Sequence, residues 1–525
     1  PTQVPGLPFN CVNSPGSFSI SNQFTSYLSA NGGVADPNAL YTYWAGANDI
    51  LSGAYYAGLY TNPAIAQAWA GQAGATAIGQ IAALQAAGAR TIVVFNMPDL
   101  GLTPQNIGTP NQTGATGLSV IYNSQFNGGL ATLNDGIVAI NTWAIINEVK
   151  ANPAAYGFTN TTGTACPASS LICGPASAGY PTQPTSATYL FADGIHPSGR
   201  AHALLANVVY ATITAPGIVS LAPEVALQAN FANSTALEDA INNESASGSE
   251  VGKVIGYASV QFTDQTIDAT PYSPALSGDM TGLNIGASYR VNENVSFALG
   301  ATLGDPSGTT AGNTGEFSGN AILFGGVLQL ETGGLYGRAA LGIGTTDMDI
   351  TRSIDLLSST RRESGNTSVD QSSASFELGY QFKADTFRHG PYFGIDLNYT
   401  TTAAYVENGS SSTAMRFEEF DADTNDAYIG YRFSGDFGSI RPFIDVAYVN
   451  PNNDDQTFVT GGTSSLPGSF TMGGYTPGTD EFFDYNVGAA MTFAEVWDGY
   501  LSFRGQSSDG VQDGYAISLG VRRNF

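Results

Sequence analysis

The sequence predicts two domains of different physical type: an α/β domain on a mostly parallel sheet, then an antiparallel transmembrane β-barrel of about 12 strands. Three observations predict it. At 525 residues the chain exceeds the usual size of one compact domain. Over residues 1–215, short apolar strands alternate with helical patterns, which is how a parallel sheet reads. From residue 254 onward the hydrophobic period drops to two, and the chain ends on the aromatic Phe525. The expected boundaries are 1–215, a linker helix over 216–250, and a barrel over 251–525.

Composition narrows the function. Hydrophobic residues make up 42% and aromatics 11%, enough for a core, whereas charged residues are only 11%, against about 25% in an ordinary soluble domain. Disorder needs low hydrophobicity with dense charge, and neither holds. The net charge is −26, and residues 1–215 carry only Arg90, Lys150 and Arg200 as bases. Binding a phosphate backbone needs clustered Lys and Arg, which argues against a nucleic-acid partner. The histidines are His196, His202 and His389, and no Cys/His grouping has metal-ligand spacing. No apolar run reaches the roughly 18 residues of a spanning helix. That says nothing of a barrel, which crosses with alternating segments of about 10 residues. Cys166 and Cys173 flank a short segment and read as a disulfide in an oxidising compartment, with Cys11 left over. The opening PTQVPGLPFN has neither a basic nor an apolar leader region, so it is expected to be processed or truncated.

Each element follows from a local pattern. Residues 1–40 are rich in Gly, Pro, Ser and Asn and read mostly as loop. ALYTYWAG (39–46) is a short buried strand stopping at Gly46. Asn62-Pro63 starts an Ala-rich helix with Ile65, Trp69, Ile78, Ile81 and Leu84 at helical spacing, ending at Gly88. TIVVFNMPDL (91–100) is a β-branched run suited to a buried parallel strand. A second helix is expected over 120–150, from Phe126, Leu130, Leu133, Ile137, Ile140 and Ile146. YLFADGIHPSGRAHALLANVVYATI reads as a strand end, a tight loop and a helix with Leu204, Leu205, Val208 and Val209 inward. Residues 223–243 read as one helix with a loose stripe from Val225 to Ile241. Beyond it, Phe393, Ile395, Leu397 and Tyr399 share one face of a strand, and Tyr515, Ile517, Leu519, Val521 and Phe525 share another. A soluble sandwich also alternates, but long strands, aromatics at strand ends and a terminal Phe favour a membrane girdle. The connections, such as NPNNDDQTFVTGGTSSLPG, read as polar loops.

Two motifs carry chemistry. In WAGANDIL (44–51), Gly46, Asn48 and Asp49 follow a strand, where side chains point into the ligand crevice of an α/β sheet. An Asn amide there can donate to a developing oxyanion, although Asn-Asp after a strand is also an ordinary turn or helix cap. In FADGIHPSGRAH (191–202), Asp193 and His196 lie three residues apart on a loop before a helix. That spacing lets the carboxylate accept the Nδ1 proton, leaving the other ring nitrogen as a general base. The plainer alternative is a helix cap beside an exposed His.

WAGANDIL resembles the G-x-N-D block of the SGNH (GDSL-type) esterases and lipases, ADGIHPSGRAH resembles their terminal D-x-x-H block, and FNMPDLGLTP resembles a segment of the autotransporter members. With a pore-helix-like 223–243 and a barrel ending in Phe, the whole chain is similar to a GDSL-type esterase autotransporter. The resemblance implies an α/β/α passenger at the cell surface of a bacterial outer membrane. It implies ester hydrolysis through an acyl-serine with no metal or cofactor, Asp193 and His196 as acid and base, and Asn48 as an oxyanion donor. Expected partners are an ester or lipid substrate, outer-membrane lipid and the barrel-assembly machinery, with the protein a monomer. His202 matches no catalytic position. The chain departs from the family in one respect: it contains no G-D-S-L block, and the nearest tripeptide, in SGDM (277–280), falls in the barrel. The nucleophile block is therefore expected upstream of Pro1, which leaves this chain inactive. The alternatives are a catalytically inactive surface module and a barrel that serves as a pore.

Overall fold

The computed structural model describes residues 19–56, 62–167, 169–170, 173, 185–247, 251–409, 411–452, 456–476, 481–494, 496–508 and 512–525. Cys11 lies outside them.

The α/β part contains α1 (Ile20–Ala30), β1 (Leu40–Tyr43), α2 (Ala47–Tyr56), α3 (Pro63–Ala86), β2 (Thr91–Phe95), α4 (Gln112–Leu130) and β3 (Ile137–Ile140). It continues with α5 (Thr142–Ala151), β4 (Asn160–Thr164), α6 (Thr185–Thr188), β5 (Tyr189–Phe191) and α7 (Gly199–Val219). Strands β1, β2 and β3 pair in that order, all parallel, with Tyr43 beside Val94 and Val94 beside Ala139. Strand β4 pairs parallel with β5 in a separate ribbon. Strand β3 is buried at all four residues, as a parallel strand covered on both faces must be.

Three sequence expectations are corrected. The strand expected to be buried in 39–46 is β1, which lies at the margin of the sheet and is buried only at Tyr43, with Leu40 exposed. Residues 20–30 are a helix, started by Ser19, whose side chain accepts from the Asn22 backbone N–H. The helix expected over 120–150 is instead α4, then β3, then α5. Ile137 and Ile140 are three apart, a spacing that a short all-apolar strand shares with a helix. Asn141 then caps α5 by accepting from the Ala144 N–H at 3.0 Å.

Twelve long antiparallel strands between Val254 and Asn524 form the barrel, with the short Phe382–Ala384 at one margin. The first strand pairs with the last, Ile267 opposite Gln512. Thr360–Tyr380 pairs with Phe387–Thr402 to complete the ring, so neither end of the sheet is left open. Leu299, Leu341, Ile343, Phe393 and Leu519 point outward and are exposed, while Asn284, Thr302, Arg338 and Gln371 are buried inside. Apolar outside and polar inside is the pattern of a barrel in lipid. Glycine answers close approach within the wall: a Cβ on Gly286 or Gly300 would lie 2.4 or 2.2 Å from the Tyr257 hydroxyl.

Helix α8 (Ala222–Ser247) follows α7 almost directly and runs inside the barrel. Asn230 Nδ2 donates to Asn398 Oδ1 at 2.7 Å, and Asn233 Nδ2 to Thr302 Oγ1 at 2.9 Å. Arg338 Nη2 donates to Asn242 Oδ1 at 2.6 Å. These amides satisfy buried polar groups of the wall that would otherwise cost free energy. Contrary to the sequence expectation, the helical stretch Gly199–Asn242 is long and apolar enough to cross a bilayer by composition. Its apolar surface is spent instead on the α/β core and the barrel interior, where Leu204, Val208, Val225 and Ile241 are buried.

The connections on the α/β side of the barrel are more ordered than polar loops. Tyr405–Val406, Met415–Phe417, Phe458–Thr463 and Phe470–Gly473 form a four-stranded sheet. It abuts β3: the Ile137 N–H donates to Ser469 O at 2.7 Å, and Thr463 Oγ1 donates to Ala139 O at 2.6 Å. A buried bidentate pair, Arg352 with Glu407 at 2.6 and 2.7 Å, lies beside it, and Arg352 Nη1 also reaches Ala211 O of α7.

Candidate active site

Strand β5 ends at Phe191, and residues 192–198 turn back tightly. The Ala192 N–H donates to His196 O at 2.8 Å and the Ser198 N–H to Leu190 O at 2.9 Å. Ser198 then caps α7 by accepting from the Ala201 N–H. Inside this turn the Asp193 carboxylate accepts from the backbone N–H of Ile195 at 3.0 Å and of His196 at 2.8 Å, both at Oδ1. The His196 Nδ1 lies 2.9 Å from each carboxylate oxygen. The Asp193 side chain is 10% exposed and that of His196 55%. Acid buried and imidazole open to solvent is the arrangement a general base needs, because Nδ1 is engaged and Nε2 remains for chemistry.

Burial alone would raise the pKa of Asp193, but hydrogen bonds from the His196 backbone, from Ser170 and from the Ile195 backbone hold it well below the ordinary carboxylate range. The acid therefore stays charged at neutral pH. Ser170 Oγ approaches His196 at 3.2 Å, but at Nδ1. That nitrogen is already committed to Asp193, so Ser170 is misplaced for a nucleophile, which needs Nε2.

Asn48 sits on the first turn of α2, exposed. Its approach is fixed by Gly46, whose φ is +105° and whose Cβ, if present, would lie 2.3 Å from the Tyr122 ring. The buried Tyr122 hydroxyl donates to Ala45 O at 2.9 Å. Trp44 packs at a tilt against Phe95 at the end of β2, centroids 5.1 Å apart, and meets His202 edge-on at 6.4 Å. The ends of β1 and β2 and the first turn of α7 thus share one edge, the ligand-binding edge of a parallel sheet. Asp193 and His196 are in direct contact, and Asn48 lies at the start of the helix that follows β1.

Sequence reasoning missed what supports the site. The backbone N–H of Gln105, in the segment after FNMPDL, donates to Gly194 O at 2.9 Å and steadies the dyad turn. Asn123 holds Met97 by a two-way bridge, both bonds 2.7 Å, and Asn96 is bonded to Asn141 and Thr142. Ser119 is buried and accepts from the Leu100 N–H. An Asn and a Ser at helical spacing in α4 were the available signal, since a polar stripe inside an apolar pattern implies a buried polar partner.

Two family models match the chain: GDSL-like Lipase/Acylhydrolase over residues 15–209 and Autotransporter beta-domain over residues 256–504. An uncharacterized protein from the trpE-trpG intergenic region of Pseudomonas putida is 31% identical over 480 residues, 89% of this chain and 78% of that protein. Esterase EstA of Pseudomonas aeruginosa is 28% identical over 503 residues, covering 93% and 75% of the two chains. Lipase 1 of Photorhabdus luminescens is 23% identical over 576 residues, covering 96% and 85%.

Proposed function

The chain belongs to the GDSL-like lipases/acylhydrolases carried on an autotransporter β-domain, and we propose that Asp193 and His196 are the acid and base of its ester-hydrolysing site, with Asn48 an oxyanion donor. It is a carboxylic ester hydrolase on an outer-membrane barrel, with the passenger at the surface. The observation that carries the assignment of residues is the 2.9 Å contact of His196 Nδ1 with a carboxylate that is itself held ionised. A serine presented to Nε2 gives up its proton to His196 as it attacks the ester carbonyl. The imidazolium, stabilised by Asp193, then returns that proton to the leaving alcohol. Water repeats the cycle on the acyl-serine and releases the acid. Asn48 donates to the tetrahedral oxyanion.

The passenger is taken as 1–215, the linker as 216–250 and the barrel as 251–525, acting as a monomer in outer-membrane lipid after insertion by the barrel-assembly machinery. None of the 525 residues lies in a G-D-S-L block, so the nucleophile of this scheme is not assigned to any of them. The test is a pair of proteins: the chain from Pro1, and the same chain extended with a G-D-S-L segment from a relative. The first is expected not to turn over short-chain aryl esters, and the second is expected to do so. An extended chain that stays inactive with Asp193 and His196 in place would favour the inactive surface module.

A further inference from the structure

The Asp193 carboxylate is held at two points. Its Oδ1 is fixed by the N–H groups of its own turn, Ile195 and His196. Its Oδ2 is reached by a backbone N–H from elsewhere: Ser170, 23 positions upstream, at 2.7 Å. Donors on one oxygen set where a carboxylate sits, and a donor on the second sets its plane. The plane decides whether Nδ1 meets a lone pair, so the Ser170 N–H has a geometric task that the turn cannot perform.

Ser170 lies between Cys166 and Cys173, which are joined by a disulfide with Cα atoms 6.0 Å apart. The loop is anchored to the strand that leads to Asp193: the Cys166 N–H donates to Ala192 O at 2.7 Å and the Ala165 N–H to Phe191 O at 3.0 Å. Cys166 is buried, and the Cys173 N–H donates to Ser170 O at 3.3 Å. Closing a loop this short removes most of the conformations in which Ser170 would point elsewhere.

We propose that Ser170, held by the Cys166–Cys173 disulfide, is a positioning residue for the Asp193–His196 pair, so that the pair is ordered in an oxidising compartment and loosened by a thiol reductant. The proposal rests on the reading of Asp193 and His196 as acid and base. Two electrons and two protons from a dithiol such as dithiothreitol open the S–S bond, leave two thiols and oxidise the dithiol to its own disulfide. The Ser170 N–H is then free to leave Oδ2. The carboxylate can turn about its Cβ–Cγ bond, and His196 loses its fixed tautomer. Asp193 should also titrate at higher pH once that donor is gone.

The test needs no turnover. The full chain in detergent micelles, with its histidines labelled with 15N, is observed for the low-field imidazole Nδ1 proton, assigned to His196 by its disappearance in His196→Gln. The oxidised chain is expected to show it. Dithiothreitol, the double substitution Cys166→Ser/Cys173→Ser, and Ser170→Pro, which removes the N–H, are each expected to broaden or abolish it. Ser170→Ala, which keeps the N–H, is expected to retain it. A resonance unchanged after reduction, with both thiols alkylated and counted by mass, overturns the proposal. So does its loss together with the near-ultraviolet circular dichroism of the passenger, because the disulfide would then be a general staple. Absence of the resonance from the oxidised chain overturns the acid–base pairing itself, which separates failure of that reading from failure of this one.

Discussion

The turn after β5 and the turn after β1 both lie at the carboxyl end of a strand, yet they are built in opposite ways. The β5 turn makes most of its site from neighbours: Asp193 Oδ1 and the His196 ring are bonded within four positions of sequence, and distant donors, the N–H groups of Ser170 and Gln105, only complete it. The β1 turn makes its site from a distance. Gly46 has its left-handed conformation beneath the ring of Tyr122, whose hydroxyl holds Ala45 from 77 positions away. Local hydrogen bonds survive small movements of the surrounding helices, whereas a turn clamped by α4 moves with α4. The first turn should therefore respond to changes of chemistry, and the second also to changes of packing.

Substitutions in the extended, serine-bearing chain sharpen that contrast. The largest effect is expected at His196→Ala, about 10⁶ in kcat, because it removes the proposed base that takes the serine proton. Asp193→Asn should cost about 10⁴, through the wrong imidazole tautomer. Asn48→Ala should lower kcat by about 10²–10³ and leave KM nearly unchanged, since its donor acts on the transition-state oxyanion. Tyr122→Phe removes one hydrogen bond of about 1 kcal/mol and should cost about fivefold in kcat, with the Asp193 turn unaffected. Steady-state kinetics on one ester series measures all four. An Asn48→Ala enzyme with full kcat would place the oxyanion elsewhere.

The smallest effect concerns acid. Asp193 is held below the ordinary carboxylate pKa of about 3.9. A depressed folded pKa means its stabilisation is fully present above that value and is lost as pH falls through the folded value. The acid limb of kcat/KM should likewise show no step from Asp193 above about pH 4. A step between about pH 4 and 8 that Asp193→Asn abolishes would contradict an acid held charged over that range.

The same division between local and distant causes explains what was legible in the sequence. The barrel was readable because strands such as Leu335–Asp355 keep a period of two for 21 residues, apolar outward at Leu341 and Ile343 in the first half and apolar inward at Met348, Ile350 and Ile354 in the second. Strand β3 has only four residues, all buried, so no period distinguishes it from a helical turn. The Asp193–His196 contact was readable from its three-residue spacing. Tyr122, Gln105 and Ser170 were not, because nothing near them in sequence records the carbonyl or carboxylate they serve. The sheet of connecting strands was hidden for another reason: its segments are two to six residues long, too short for a pattern, and pair with one another across long stretches of sequence while abutting β3.

The central proposal is that His196, backed by Asp193, is the base that activates a serine nucleophile. Labelling with a fluorophosphonate, which reacts with activated serines alone, tests it most directly. The chain from Pro1 should remain unlabelled; the chain extended with a G-D-S-L segment should label rapidly, and its His196→Ala variant should not. Robust labelling of the chain from Pro1, or undiminished labelling of the extended His196→Ala variant, would contradict the account.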